Sequence, residues 1–232
     1  MVQTFTEPQT ISLEVPNSIA LTVTGEQFDI LALANPDLRL ERTAEGELIV
    51  NPPTGGESGN RNLSISGQVD RWCETHEDLG EGFDSSTGFI LPNGATRSPD
   101  ASWVSRARWE ALTPKERKGF VPLCPDFVVE LREAKLSRRE SASDSLSTLQ
   151  AKMREYMDNG ARLGWLIDPQ NQRVEIYRQQ AEVEKFPVRP HTRRWRPSSG
   201  PERYLALSGH DRFSCYLTAF DAMIFNAIGL KS

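Results

Sequence analysis

Apolar and polar positions divide this chain into short segments whose period changes repeatedly. Residues 1–23 alternate weakly among turn formers and read as an arm or edge element. Thr24-Gly25-Glu26-Gln27 then opens a helix with Thr24 as N-cap. Phe28, Leu31, Leu33 and Ala34 supply its apolar face, and Asn35-Pro36 ends it. Two alternating runs, Leu38–Glu41 and Leu48–Val50, lie on either side of Ala44-Glu45-Gly46 and predict a β-hairpin. Pro52–Gly59 is a Gly-rich loop leading into a helix expected over about Arg61–Asp78, with Leu63, Val69 and Trp72 at apolar spacing. Strands are predicted at Phe89–Leu91 and Ala101–Val104, flanking a Pro92-Asn93-Gly94 turn. Thr113-Pro114 begins a short helical turn.

The second half is more regular. Phe127–Leu131 is short, β-branched and apolar, the pattern of a buried strand. Ser143 or Asp144 caps a helix running to about Asn159, with Gly160 as its stop. Leu163–Ile167 is a second buried strand, and Asp168–Asn171 turns the chain into Arg173–Tyr177 to close another hairpin. Tyr216–Ile228 is apolar and predicts a terminal helix. Alternation of this kind specifies a mixed α/β fold around one sheet, expected as a single domain over residues 24–232 after the 1–23 arm.

Composition narrows the function. The 232 residues carry 27 Lys+Arg against 32 Asp+Glu, a net charge of −5 that argues against a general nucleic-acid coat. That exclusion is local at best, because positive charge concentrates in Lys135–Arg139 and in the Pro-rich loop Lys185–Arg203, expected as an insertion before the terminal helix. No apolar run approaches the roughly 18 residues of a membrane helix. The first residues have neither a basic region nor an apolar core, so no secretory signal is expected. Three scattered cysteines, Cys73, Cys124 and Cys215, suit a reducing cytoplasm and form no zinc motif.

The chemistry centres on Phe127–Arg132. Strand alternation puts Val128, Glu130 and Arg132 on one face, and a buried glutamate demands a partner. Alone, Glu130 reads as half of a structural ion pair with Arg132. Asp100, at the entrance of the preceding strand, changes the reading, because two carboxylates on neighbouring strands can hold Mg²⁺ with waters and substrate phosphate. A metal there would activate water at a phosphodiester. Asp126, in a second Pro-Asp, reads as a strand or turn cap. On the following helix, Leu146, Leu149, Met153, Tyr156 and Met157 form one apolar stripe, with Gln150 and Lys152 at its margins. A lysine so placed is most often a flank residue with its tip in water. Pro52–Asn60 lacks the Gly-Lys-Ser/Thr ending of a phosphate loop, and nothing beyond the acid pair suggests a sugar cleft.

Leu91–Gly94, Ser98–Val104, Pro125–Arg132, Leu149–Met153, Glu155-Tyr156, Asn159-Gly160 and Leu163–Pro169 follow one another in an ordered series. From about Phe28 to Tyr177 the chain thereby resembles the restriction-endonuclease family expanded in cyanobacteria, a branch of the PD-(D/E)xK nuclease superfamily. The resemblance implies a restriction-endonuclease-like core, a mixed sheet flanked by helices, and Mg²⁺- or Mn²⁺-dependent hydrolysis of DNA, with room for a homodimer. It assigns Asp100 and Glu130 to the metal, Glu57 to an additional acid, and Lys152 to the water or the phosphate, assisted by Arg132 and Gln150. Arg132 stands where the superfamily motif has lysine, and a guanidinium stays protonated. A catalytically silent DNA-binding or protein-interaction module is therefore the alternative. Glu133–Glu140 looks like an insertion; its Lys135, Arg138 and Arg139, with Arg193 and Arg194 further on, are candidate DNA contacts.

Overall fold

The computed structural model describes residues 20–132 and 145–187. The Lys135, Arg138, Arg139, Arg193 and Arg194 contacts, the Ser143 or Asp144 cap and the terminal helix lie outside them. Helix α1 (Gly25–Ala34) begins with a reciprocal cap: Thr24 Oγ1 accepts from Gln27 N–H, and Gln27 Oε1 accepts from Thr24 N–H. Strands β1 (Arg39–Arg42) and β2 (Leu48–Asn51) form the expected hairpin. Helix α2 spans Gly56–Thr75, starting inside the stretch read as a loop. Its glycines do not prevent that start, because Gly55 caps the helix and Gly59 N–H already closes the first turn on Gly55 O. The helix ends before Asp78: His76 leaves helical geometry at φ −137°, and its N–H turns back to the Cys73 carbonyl.

Strands β3 (Gly80–Asp84), β4 (Phe89–Ile90), β5 (Thr96–Arg97) and β6 (Ala101–Ser105) follow. The Asn93-Gly94 turn joins β4 to β5, not to β6 as the sequence suggested. A short helix α3 (Arg106–Glu110) precedes strand β7 (Phe127–Leu131). Helix α4 (Leu146–Asp158) is capped by Ser145 and leaves through Gly160, whose φ of +104° is the left-handed exit that glycine adopts without strain. Strands β8 (Leu163–Asp168), β9 (Arg173–Arg178) and β10 (Glu184–Pro187) complete the described chain.

Two sheets result. The larger runs β10-β9-β8-β7-β6-β3, mixed because β7 and β8 are parallel; the smaller runs β2-β1-β5-β4. Alternation along β7 sends Phe127, Val129 and Leu131 to one face, where Ile65, Val69 and Trp72 of α2 cover them. Val128 and Glu130 face the other way, under Leu149, Met153 and Tyr156 of α4. The large sheet is thus enclosed by a helix on each face. On the α2 side, Trp72 meets Trp103 edge-on at 5.5 Å and Phe127 meets Trp165 at 5.4 Å, arrangements that suit aromatic quadrupoles. No described helix is long and apolar enough to cross a membrane.

Candidate active site

β6 and β7 are antiparallel with Ala101 opposite Val129, so continuing the register by one step sets Asp100 opposite Glu130. Asp100 is fixed from both sides: Leu131 N–H donates to its Oδ2 at 2.8 Å, and the Arg39 guanidinium lies 3.8 Å from Oδ1. Glu130 is 4% exposed. Its Oε1 accepts from the Tyr156 hydroxyl at 2.9 Å and lies 2.8 Å from Lys152 Nζ. The α4 stripe explains both contacts. Leu149, Met153 and Tyr156 pack onto the sheet, which carries Lys152, at the margin, inward over β7. The lysine is largely covered and not a solvated flank residue, with only 12% of its side chain exposed.

The same ammonium lies 3.0 Å from Glu41 Oε1, a residue the sequence pattern did not single out. Glu41 sits on β1, and the small sheet brings it to the mouth of the large one. Arg97 of β5 holds Glu41 at 3.4 Å and binds Glu155 of α4 at 2.6 Å, and Asn93 donates to Glu155 at 3.0 Å. Four elements therefore meet in one network, with Glu41, Arg97 and Glu130 buried at its centre.

Burial pushes Glu130 up to about 7, reinforced by the negative charges of Asp100 and Glu41 and only partly opposed by Lys152. Burial also pushes Glu41 up, but Lys152 and Arg97 outweigh it and hold Glu41 below its usual range. Lys152 shows the converse: burial disfavours its charge, but Glu130 and Glu41 more than compensate, so the ammonium is kept protonated.

The remaining predicted site residues are placed elsewhere. Arg132 does not pair with Glu130; its Nη1 donates to both oxygens of Asp168, at 3.2 and 3.3 Å. Gln150 donates to both oxygens of Glu175 on β9, at 3.0 and 2.9 Å. Glu57 is exposed on the first turn of α2, paired with Arg61 at 3.3 Å, on a helix that covers the opposite sheet face. Asp126 caps as expected, accepting from Ser105 N–H at 2.8 Å. Burial pushes the Cys73 and Cys124 thiols up to about 12, which leaves neither as a ready nucleophile.

Among the described residues no three acidic, histidine or cysteine side chains form a ready cation cage. Two carboxylate side chains on neighbouring strands nevertheless suit a hard divalent ion, since Mg²⁺ takes one or two carboxylates and completes its shell with water and phosphate oxygens. The raised Glu130 supports that fit: acids crowded in a dry site are relieved by a cation.

A helix-flanked mixed sheet with paired acids on adjacent central strands is restriction-endonuclease-like. The crystal structure of a putative nuclease belonging to DUF820 from Anabaena variabilis ATCC 29413 shares the fold, with a TM-score of 0.56 and 23% identity over 79% of this chain and 94% of that one. The chain belongs to the Uma2 family, described as "Putative restriction endonuclease", whose family model matches residues 26–208. That membership supports a nuclease-like function. No curated protein matches the chain.

Proposed function

We propose that the protein is a divalent-metal-dependent DNA endonuclease. The observation that carries this reading is the buried Asp100–Glu130 pair at the end of the central strands, with the largely covered Lys152 ammonium 2.8 Å from Glu130. A bound Mg²⁺ or Mn²⁺ would neutralise charge and activate water at the phosphodiester. Asp100 and Glu130 would hold it.

The chain's own residues do the rest. Leu131 N–H and Arg39 fix the Asp100 carboxylate, so its rotamer is set before any ligand arrives. Tyr156 steadies Glu130 from beneath. Lys152, kept protonated by two carboxylates, offers a fixed positive charge and N–H donors to the attacking water or the scissile phosphate. Glu41 and Arg97 act through Lys152 by locking its position. Arg132 does not need to be lysine for this site to work, because an ammonium reaches Glu130 from α4 instead.

The deciding assay incubates supercoiled and linear DNA with Mg²⁺ or Mn²⁺, comparing wild type with Asp100→Ala and Glu130→Ala. Metal-dependent cleavage by wild type alone is expected. Equal cleavage by all three proteins refutes this site. No cleavage with any metal or substrate, alongside retained DNA binding, selects the silent-module alternative. Nicking against linearisation of the supercoiled form reports whether two copies act together, as in a homodimer.

A further inference from the structure

Beside the acid pair, on the α4 face, lies a second charged system. The register aligns Glu130 of β7, Leu166 of β8, Glu175 of β9 and Lys185 of β10 in one cross-strand row. Two rows nearer the strand ends, and so on the same face, Asp168 opposes Arg173, and Arg132 follows β7 directly. Asp168 and Glu175 are both 0% exposed and bind the basic groups around them. Arg132 Nη1 lies 3.2 Å from Asp168, Arg173 Nη2 lies 3.0 Å from Glu175, Arg173 Nε lies 3.6 Å from Asp168, and Lys185 Nζ lies 3.8 Å from Glu175. Gln150 and Tyr177 also donate to Glu175.

The buried acids set the basic groups in place while exposure rises away from the acid pair. The side chains of Arg132, Arg173 and Lys185 are 17%, 28% and 56% exposed. Each arginine keeps guanidinium N–H groups outside these ion pairs: Nη2 of Arg132 and Nη1 of Arg173. Three positive groups against two negative ones leave a net +1 on a protein of net −5. From β7 to β10 the strip covers three strand spacings, about 14 Å, or roughly four 3.4-Å steps of a nucleic-acid strand.

We propose that Arg132, Arg173 and Lys185 form a ledge that holds the sugar-phosphate backbone of the nucleic acid next to the scissile bond. This inference rests on the endonuclease reading. Arginines pre-oriented by buried carboxylates lose little rotamer freedom when they donate to a phosphate, and their planar forks present N–H groups in fixed directions. The ledge reads no base, so its contribution is independent of sequence.

The test is fluorescence anisotropy of a labelled DNA duplex against full-length protein in EDTA, titrated over NaCl concentration. Lys185→Gln and Arg173→Gln should each weaken binding several-fold and reduce the slope of log K against log salt by about 1. Arg173→Lys should restore most of the slope. Arg71→Gln, exposed on α2 across the sheet, should leave it unchanged. Lys185 makes only a loose pair, so its variant keeps the test valid if Arg173→Gln fails to fold. Wild-type slopes in both Gln variants overturn the ledge. Absence of wild-type binding at low salt also overturns it, since these contacts need no metal; cleavage by that same wild type in Mg²⁺ would leave the endonuclease reading standing.

Discussion

Glu130→Gln separates a catalytic acid from a structural one, because it should make the protein more stable while abolishing cleavage. Glu130 is raised from 4.5 to about 7, and at 4% exposure little solvent screening reduces the effect. A raised folded-state pKa means that the native state holds its proton where the unfolded chain has released it. Native stability from this group is complete below 4.5 and is lost as pH rises through 7. At 1.36 kcal/mol per unit, the cost approaches about 3 kcal/mol at pH 8 and falls below about 1 kcal/mol at pH 5. Glutamine has nearly the shape of protonated glutamate and still accepts from Tyr156, so it avoids that cost. Lys152 keeps Glu41 as its counter-charge.

The assay is urea or thermal unfolding in EDTA at both pH values. Glu130→Gln should exceed wild type by about 2–3 kcal/mol at pH 8, roughly 5–10 °C for a chain of this size, and by little at pH 5. Adding Mn²⁺ or Mg²⁺ should then raise the wild-type midpoint by mass action and leave the variant unmoved. A variant less stable than wild type at pH 8, or a gap independent of pH, refutes the placement of Glu130 in a crowded, dry acid cluster.

Glu41→Gln should behave in the opposite sense, costing about 2–4 kcal/mol at neutral pH, because it removes the negative partner of largely covered Lys152 and of buried Arg97. Glu41 titrates below its usual range, so its contribution is present above 4.5 and is lost on acidification; unfolding curves from pH 7 to 3 should show the gap closing. Lys152→Ala should reduce metal-dependent cleavage by at least tenfold, and adding Arg132→Lys should not restore it, since residue 132 is directed at Asp168; recovery of the double variant in a plasmid assay would contradict that geometry. Gly80→Ala should unfold several degrees earlier in a thermal melt, because a Cβ there would meet the Trp103 ring at 2.6 Å.

Strands β7 and β8 and helix α4 were legible because burial on both sheet faces leaves continuous apolar runs and a single stripe, and β9 (Arg173–Arg178) was legible from the Asp168–Asn171 turn that leads into it. β3 was not legible: Gly80-Glu81-Gly82-Phe83-Asp84 has poor strand propensity and is extended only because it pairs with β6 beneath α2. β4 and β5 are two residues each, so the Asn93-Gly94 turn was recognised but its second arm was misassigned to β6. β10 lies at the start of a basic, Pro-containing stretch, and its pairing with β9 overrides the loop-like composition. At the site, Asp100, Glu130 and Lys152 were found as an ordered series, whereas Glu41 was passed over.

The reason Glu41 was missed is also the reason it matters. In Arg39-Leu40-Glu41-Arg42, alternation makes Arg39 and Glu41 the polar face of an N-terminal hairpin, which a two-state pattern assigns to water. Here that face turns inward: Arg39 reaches Asp100, and Glu41 reaches Lys152 across 111 residues of sequence. Such a face is affordable only where opposite charges meet it, and each cation in the cluster touches at least one carboxylate. The small sheet is therefore part of the site. It supplies the counter-charge that lets a helix-borne lysine stay protonated beside Glu130, the position that the strand's own Arg132 has left for Asp168.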